Sequence, residues 1–261
     1  MTDTLAPVAL VTGATSGIGL AIARALMASG SGVHLCARGG ERLDALVGQL
    51  RSEGCRVAGT VCDVRDTGQV KALLKAVVAE WGRVDVLVNN AGASGGGITA
   101  EIDEELWLDV VDANLNSVFR VTREALTTGG MLARGRGRII NIASTGGKQG
   151  VVYAAPYSAA KHGVVGFSKA LGLELARTGI TVNAVCPGFV ETPMAERVRT
   201  GYAEVWGVSA EEAYARITDR VPIGRYVQAE EVAAMVAYLA SDAAAAVTAQ
   251  AMNVCGGLGN Y

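Results

Sequence analysis

The strongest chemical signal in this chain is a tyrosine one helical turn ahead of a lysine, Tyr157-Ser158-Ala159-Ala160-Lys161. A free phenol titrates near pH 10 and is a poor proton donor or acceptor at neutral pH. On a helix, residues four apart share a face, so the Lys161 ammonium would stand beside the Tyr157 ring and stabilise its phenolate. Such a tyrosine can exchange a proton with a reacting oxygen. Ser144 lies upstream, just past an apolar strand, where its hydroxyl could bind a carbonyl oxygen as negative charge develops on it. Tyr-x-x-x-Lys also occurs by accident, so its weight depends on what surrounds it.

A second signal comes directly after the first apolar run: Thr12-Gly13-Ala14-Thr15-Ser16-Gly17-Ile18-Gly19. A glycine-rich turn between strand and helix lets backbone approach a pyrophosphate, and the helix N-terminus offers free N–H groups to it. This predicts a dinucleotide site, whose oxidised nicotinamide would add a second positive charge near Tyr157. The next strand ends at Cys36-Ala37-Arg38-Gly39, with no acid before Glu41. A ribose 2′-hydroxyl site usually places an acid there, whereas an arginine can hold a 2′-phosphate. Arg38 and Gly39 therefore predict NADP(H).

These residues need a scaffold, and the apolar pattern supplies one. Short apolar runs alternate with helical periodicity: strands at 7–11, 32–36, 56–61, 84–88, 138–142, 181–185 and 251–255, and helices at 18–28, 41–53, 70–81, about 103–126, 156–176 and 230–240. Strands apolar on both faces, separated by helices, predict an α/β, Rossmann-type doubly wound parallel sheet with helices on both faces. The stretch 191–226 breaks the alternation and reads as a helical lid excursion within one domain spanning 1–261.

Composition excludes several classes. The 261 residues suit a single α/β domain. Lys+Arg of 23 against Asp+Glu of 25 gives net charge −2, which argues against a nucleic-acid binder. Hydrophobic residues make up 50%, which excludes extensive disorder. Five cysteines without a CxxC pair and two histidines offer no metal ligand set, and they fit a reducing cytoplasm. Met1–Thr4 lacks the cationic start of a signal peptide, and no apolar run is long enough to span a membrane. His34 reads as a strand core residue. His162 is turned about 100° from Lys161 and reads as structural. With no GxSxG and no credible base, a serine hydrolase is disfavoured.

The TGxxxGxG spacing, together with Asn89-Asn90-Ala91-Gly92, Ser144, the Tyr157/Lys161 pair and Pro187-Gly188, resembles the short-chain dehydrogenase/reductase family over essentially the whole chain, Val8 to Val254. The resemblance implies that Thr12, Gly13, Thr15, Ser16, Gly17, Ile18 and Gly19 cradle the cofactor. It assigns Asp63 and Val64 to the adenine, Asn90, Ala91 and Gly92 to the ribose and sheet centre, and Pro187, Gly188, Val190 and Thr192 to the nicotinamide. Tyr157 and Lys161 would touch the cofactor as well as the substrate. Asn114 matches the family's fourth catalytic member, which holds a water linking Lys161 to solvent. A homotetramer is also implied.

Four further segments, Ser144–Val151, Val185–Met194, Val221–Tyr226 and Ala249–Tyr261, resemble the ketoreductases of type II aromatic polyketide synthases. That implies NADPH-dependent reduction of the C9 ketone of a poly-β-ketone tethered to an acyl carrier protein. Ser94, Gly95, Gly96, Thr145, Gln149, Val151 and Met194 would line the substrate pocket. Tyr202 and Trp206 could cover a large cyclised substrate or pack the lid on the core, and their spacing serves both readings equally. Many such enzymes carry Pro-Gly-Gly where this chain has Ser94-Gly95-Gly96, which frees the backbone there. Arg38 and Arg65 are candidates for a carrier-docking patch. Two alternatives remain: a 3-oxoacyl-acyl-carrier-protein reductase of fatty acid synthesis, and an NADP-sensing binding module without turnover.

Overall fold

The computed structural model describes residues 6–261, so Met1–Thr4 lies outside the described residues. The chain alternates as expected: β1 (Val8–Thr12), α1 (Gly17–Ala28), β2 (Gly32–Ala37), α2 (Gly40–Ser52), β3 (Val57–Val61), α3 (Thr67–Trp81) and β4 (Val86–Asn89). Then follow α4 (Glu104–Val111), α5 (Ser117–Leu126), α6 (Met131–Arg134), β5 (Gly137–Ile142), α7 (Ala155–Glu174), β6 (Ile180–Pro187), α8 (Pro193–Trp206), α9 (Ala210–Asp219), α10 (Ala229–Ala240) and β7 (Ala251–Val254).

Among the described residues the seven strands form one sheet in the order β3-β2-β1-β4-β5-β6-β7, every neighbouring pair parallel. Strand periodicity splits the core in two. Ala9 and Val11 of β1 face α1, α2 and α10, while Leu10 between them faces α3, α5 and α7. Both faces are covered, which explains why the strands are apolar throughout. The strand order reverses between β1 and β4, so their C-terminal ends open a crevice where such sheets take ligands.

Two local features depart from the expectation, and a third refines it. The helix expected over 103–126 is two helices joined by a π-turn at Asp112–Asn116, in which the Ser117 N–H donates to the Asp112 carbonyl. The short α6 was not anticipated; it lies between left-handed glycines, Gly130 and Gly135. The 191–226 excursion resolves into two capped helices. Thr192 Oγ1 accepts from the Ala195 N–H and Ser209 Oγ accepts from the Glu212 N–H.

A buried polar chain joins the sheet to its helices. Asn89 Nδ2 donates to Thr122 Oγ1 (2.9 Å) and to Asn141 Oδ1 (2.8 Å). Asn141 Nδ2 donates to Ser168 Oγ (2.9 Å), whose hydroxyl donates to the Val164 carbonyl (2.7 Å). All four side chains are buried. His34 is a core residue, as expected. Burial lowers it to about 4, and Trp81 Nε1 donates to its Nδ1 (3.2 Å), so the Nε2–H of the neutral ring donates to Thr60 Oγ1 (2.8 Å).

Replacing Asn141 with leucine strands the partners on both sides of it. Asn141→Leu should lower stability by about 2–3 kcal/mol in urea denaturation, since each orphaned buried group costs roughly 1–3 kcal/mol. A loss below about 0.5 kcal/mol would mean that the chain of bonds contributes nothing net.

Candidate active site

The catalytic candidates sit where β5 ends and α7 begins. α7 opens with Pro156 in its first turn, where a missing N–H does no harm. That start places Tyr157 and Lys161 on successive turns, with the Lys161 ammonium 5.7 Å from the Tyr157 ring centroid. Lys161 is 5% exposed, and its Nζ donates to the Ile142 carbonyl at 2.8 Å. Ser144 begins a tight turn at Thr145–Gly147, and its Oγ accepts from the Gly146 N–H.

Glycines report how closely these groups converge. A Cβ built on Gly146 would lie 3.0 Å from Val151, 3.4 Å from Ser144 Oγ and 3.5 Å from Tyr157 Cε1. A Cβ built on Gly92 would lie 2.6 Å from Asn114 Oδ1 and 3.8 Å from Lys161 Nζ. The Asn90-Ala91-Gly92 segment thus touches the inner end of the same cluster. Asn114 lies in the π-turn, a distortion common at functional sites. Its amide is fully engaged: Nδ2 donates to the carbonyls of Ala93 (2.9 Å) and Val110 (2.8 Å), and Oδ1 accepts from the Ala93 N–H (3.3 Å).

The electrostatics follow from burial. Desolvation lowers Lys161 to about 8. It pushes the Tyr157 phenol above its usual value, and the hydrogen bond with Ser144 draws it back. The adjacent ammonium acts in the same direction as Ser144. Burial also pushes the neighbouring Cys186 thiol up, so that it stays neutral at physiological pH.

The nucleotide end is held by a lock across the crevice. Thr12 Oγ1 accepts from the N–H groups of Asn90 and Ala91, both at 3.0 Å. Asn90 Nδ2 donates back to the carbonyls of Thr12 (3.0 Å) and Gly13 (3.1 Å). Gly13 has φ +64°, and a Cβ on Gly19 would fall 2.3 Å from the Gly13 carbonyl oxygen. Only glycine allows this approach. Ser16 precedes α1 without capping it, leaving the first-turn N–H groups open, with Thr15 and Ile18 on either side of that start. Thr192 packs 3.1 Å from the Cβ position of Gly17, which brings the segment after β6 onto the same turn. Val190 is buried and bridges to Val227, while Pro187 ends β6 and Gly188 N–H donates to the Val254 carbonyl.

Arg38 is exposed beside Gly39 and has no hydrogen-bond or ion-pair partner among the described residues. Asp63, next to the buried Val64, lies near enough for Arg38 to help hold its carboxyl low, after the larger effect of Arg65. Arg65, the other candidate for a docking patch, is ion-paired to Asp63 (2.8 Å) and Asp109 (3.4 Å). The cradle and the unpaired guanidinium fit a dinucleotide carrying an extra phosphate.

The substrate candidates fall into two groups. Thr145, Gln149 and Val151 lie with Ser144, and the Gln149 N–H donates to the Thr145 carbonyl. Ser94, Gly95 and Gly96 form an exposed loop. Gly96 presses on Tyr153 and Ala154, and the Gly97 N–H donates to the Tyr153 carbonyl at 2.8 Å. Met194 is half-buried in the first turn of α8. Tyr202 and Trp206 stack on each other with centroids 4.8 Å apart, and the Arg216 guanidinium lies over Trp206. Behind them Tyr214 and Phe189 both pack on the buried Tyr226. Sequence reasoning missed the Asn89–Asn141–Ser168 chain and the role of Lys148, described below; only the polar residues inside apolar strands signalled the former.

A parallel sheet with a glycine-lined nucleotide crevice at its switch point, and a Ser-Tyr-Lys cluster beside it, defines a nicotinamide-dependent oxidoreductase. The family model of the short chain dehydrogenases matches residues 7–203, and the chain belongs to that family. It is 72% identical over 255 residues to ketoacyl reductase 1 of the granaticin polyketide synthase of Streptomyces violaceoruber, covering 98% of this chain and 94% of that protein. It is 39% identical over 251 residues to the 3-oxoacyl-acyl-carrier-protein reductase FabG of Escherichia coli, covering 96% of each. Among solved structures, a variant of actinorhodin polyketide ketoreductase crystallised with NADPH superposes with a TM-score of 0.96 at 68% identity, covering 98% of both chains.

A lysine near 8 loses its charge within the working range. Carbonyl reduction should therefore decline as the pH rises through about 8, because the positive charge beside the Tyr157 ring is lost. Lys161→Arg, which cannot deprotonate, should retain little activity but show no decline there. A pH–rate profile checks both, and an unchanged limb in the arginine variant would reassign it.

Proposed function

We propose that this chain is an NADPH-dependent ketoreductase that reduces one ketone, the C9 carbonyl, of a poly-β-ketone tethered to an acyl carrier protein in aromatic polyketide (antibiotic) biosynthesis. The observation that carries the reading is the convergence of Ser144, Tyr157, Lys161 and Asn114 next to the nucleotide crevice. NADPH, when bound, supplies the hydride to the carbonyl carbon. Ser144 Oγ holds the carbonyl oxygen, and the Tyr157 hydroxyl gives it a proton. Lys161 lowers the cost of the resulting phenolate, and Asn114 would hold a water that links Lys161 to solvent for proton resupply. Arg38 selects the 2′-phosphate.

The substrate side of the proposal draws on Ser94, Gly95 and Gly96 on one wall, Thr145, Gln149 and Val151 on the other, and Met194 with the 191–226 lid above. Tyr202 and Trp206 belong to that lid. Their mutual stacking and the aromatic cluster behind them support a packing role at least as strongly as a contact with substrate. A homotetramer in the cytoplasm completes the reading. No helix among the described residues is long and apolar enough to cross a membrane, and no cluster of metal-ligand side chains occurs among them.

The likeness to the fatty acid reductase of Escherichia coli keeps a second substrate class in view, linear 3-oxoacyl thioesters. Bicyclic ketones such as decalones separate the two: the polyketide reading expects them to be reduced with the higher kcat/KM. The binding-module alternative has no use for a proton relay. Tyr157→Phe should bind NADPH as before and lose ketone-dependent NADPH oxidation by roughly a thousandfold, within the range for removal of a general acid. Full activity in that variant would remove Tyr157 from the mechanism. Arg38→Ala should weaken NADPH binding by about 1.5–3 kcal/mol, the range for a charged hydrogen bond, and leave NADH binding unchanged. Equal effects on both cofactors in a fluorescence titration would show that Arg38 does not read the 2′-phosphate.

A further inference from the structure

Lys148 is a charged residue that the reading above leaves idle. It follows directly on the Ser144–Gly147 turn, and its own N–H closes that turn on the Thr145 carbonyl at 3.0 Å. Its side chain points away from the cleft toward the far edge of the sheet. Nζ donates to the Ala251 carbonyl (2.9 Å), Asn253 Oδ1 (2.9 Å) and the main-chain oxygen of Tyr261 (2.8 Å). All three donors of the ammonium are satisfied, and it also lies 5.4 Å from the Tyr261 ring centroid. The acceptors are themselves organised. Asn253 Nδ2 donates to the Gly259 carbonyl (2.9 Å), and the Gly259 N–H donates to Cys255 Sγ (3.4 Å).

The opposite side of the turn is equally constrained. A Cβ on Gly147 would fall 2.5 Å from the Lys161 carbonyl oxygen, so the turn lies directly against α7. The turn that carries Ser144 is thus gripped between α7 and the 251–261 segment, and Lys148 makes the second grip. Without it, the turn keeps its internal hydrogen bonds but has no polar anchor to β7.

We propose that Lys148 is a positioning residue for the reduction: it ties the Ser144 turn to the 251–261 segment and so fixes the place of the Ser144 hydroxyl relative to Tyr157. The inference rests on Ser144 serving the carbonyl oxygen. It makes the 251–261 segment part of the catalytic geometry, although none of its side chains needs to touch substrate.

The test is a double-mutant cycle of Lys148→Met with Ser144→Ala, read as steady-state reduction of trans-1-decalone and NADPH binding by fluorescence. Lys148→Met should lower kcat roughly ten- to a hundredfold, as a displacement near 1 Å can, with KM and NADPH affinity changed less than about twofold. In the Ser144→Ala background the same substitution should cost less than about twofold, because the group it positions is gone. Asn253→Leu should reproduce the loss in part, and Lys148→Arg should restore part of it. Equal losses from Lys148→Met with and without Ser144 would overturn the proposal, as would an unchanged kcat. An unimpaired Ser144→Ala single variant would instead remove the Ser144 role on which the inference stands. Should Lys148→Met fail to fold, the cycle is run with Asn253→Leu under the same criteria.

Discussion

An ammonium group almost without solvent contact is the constraint around which this site is arranged. Burying an isolated charge is costly, and Lys161 is offset by a single carbonyl, that of Ile142, at 2.8 Å. Its proton is accordingly held loosely, with the group lowered to about 8. The nearby Cys186 cannot supply a counter-charge, since burial keeps it a thiol. The group within reach that can take up negative charge is Tyr157. A phenolate there is disfavoured by its own burial, but its attraction to the ammonium offsets part of that cost and part of the lysine's. The pair is therefore better matched to the moment after proton transfer than to the resting state, which is the direction catalysis requires.

That arrangement works only if β5 and α7 keep their registration. The Ile142 carbonyl belongs to the last residue of β5, and Lys161 to the second turn of α7. Two contacts hold them: the Asn141–Ser168 hydrogen bond inside the core, and Gly147 pressed against the Lys161 carbonyl. The Asn141–Ser168 bond costs little only because every polar atom along that chain has a partner. The nucleotide crevice uses the same device in miniature. Thr12–Gly13 and Asn90–Ala91 share four hydrogen bonds across the ends of β1 and β4, so the glycine turn is held rigid while its backbone stays bare for a phosphate. Cofactor and proton donor are positioned by adjacent strand ends of one sheet, and their relation is as fixed as the ladder between those strands.

Much of this was legible in the sequence because it depends on local chemistry. The alternation of apolar runs fixed the layers, glycine spacing marked the crevice, and a four-residue interval placed Tyr157 beside Lys161. What escaped were features decided by non-local contacts. The π-turn at Asp112–Asn116 adds one residue to a helix whose apolar pattern reads as continuous, and nothing in local propensity announces it. Arg65 reads as a candidate for a docking patch, but Asp63 and Asp109, distant from each other in sequence, meet on it. Asn89 and Asn141 interrupt apolar strands and could have signalled a buried polar pair, although their partners on α5 and α7 could not be named. Lys148 carried no signal of its own because its acceptors lie at the other end of the chain.

The loop after β4 shows how a substitution can alter the pocket without touching the machinery. Ser94 keeps an N–H and a free φ that a proline at this position would remove. The freedom gained is confined to a short span. On one side Ala93 is bound through both its N–H and its carbonyl to Asn114. On the other, Gly96 lies beneath the Tyr153 carbonyl, which accepts from the Gly97 N–H. Tyr153 itself adopts φ +60°, an uncommon conformation for an aromatic residue, and so presents that carbonyl to the loop. Ser94 and Gly95 therefore bridge two fixed points. One of them is the asparagine of the catalytic cluster, and the other begins the turn that leads into Tyr157. A displacement of this bridge pushes against both anchors, so the loop after β4, the π-turn and the approach to α7 are mechanically joined. The Ser94–Gly95 span is thus tied at one end to Asn114 and at the other to the backbone that leads into α7.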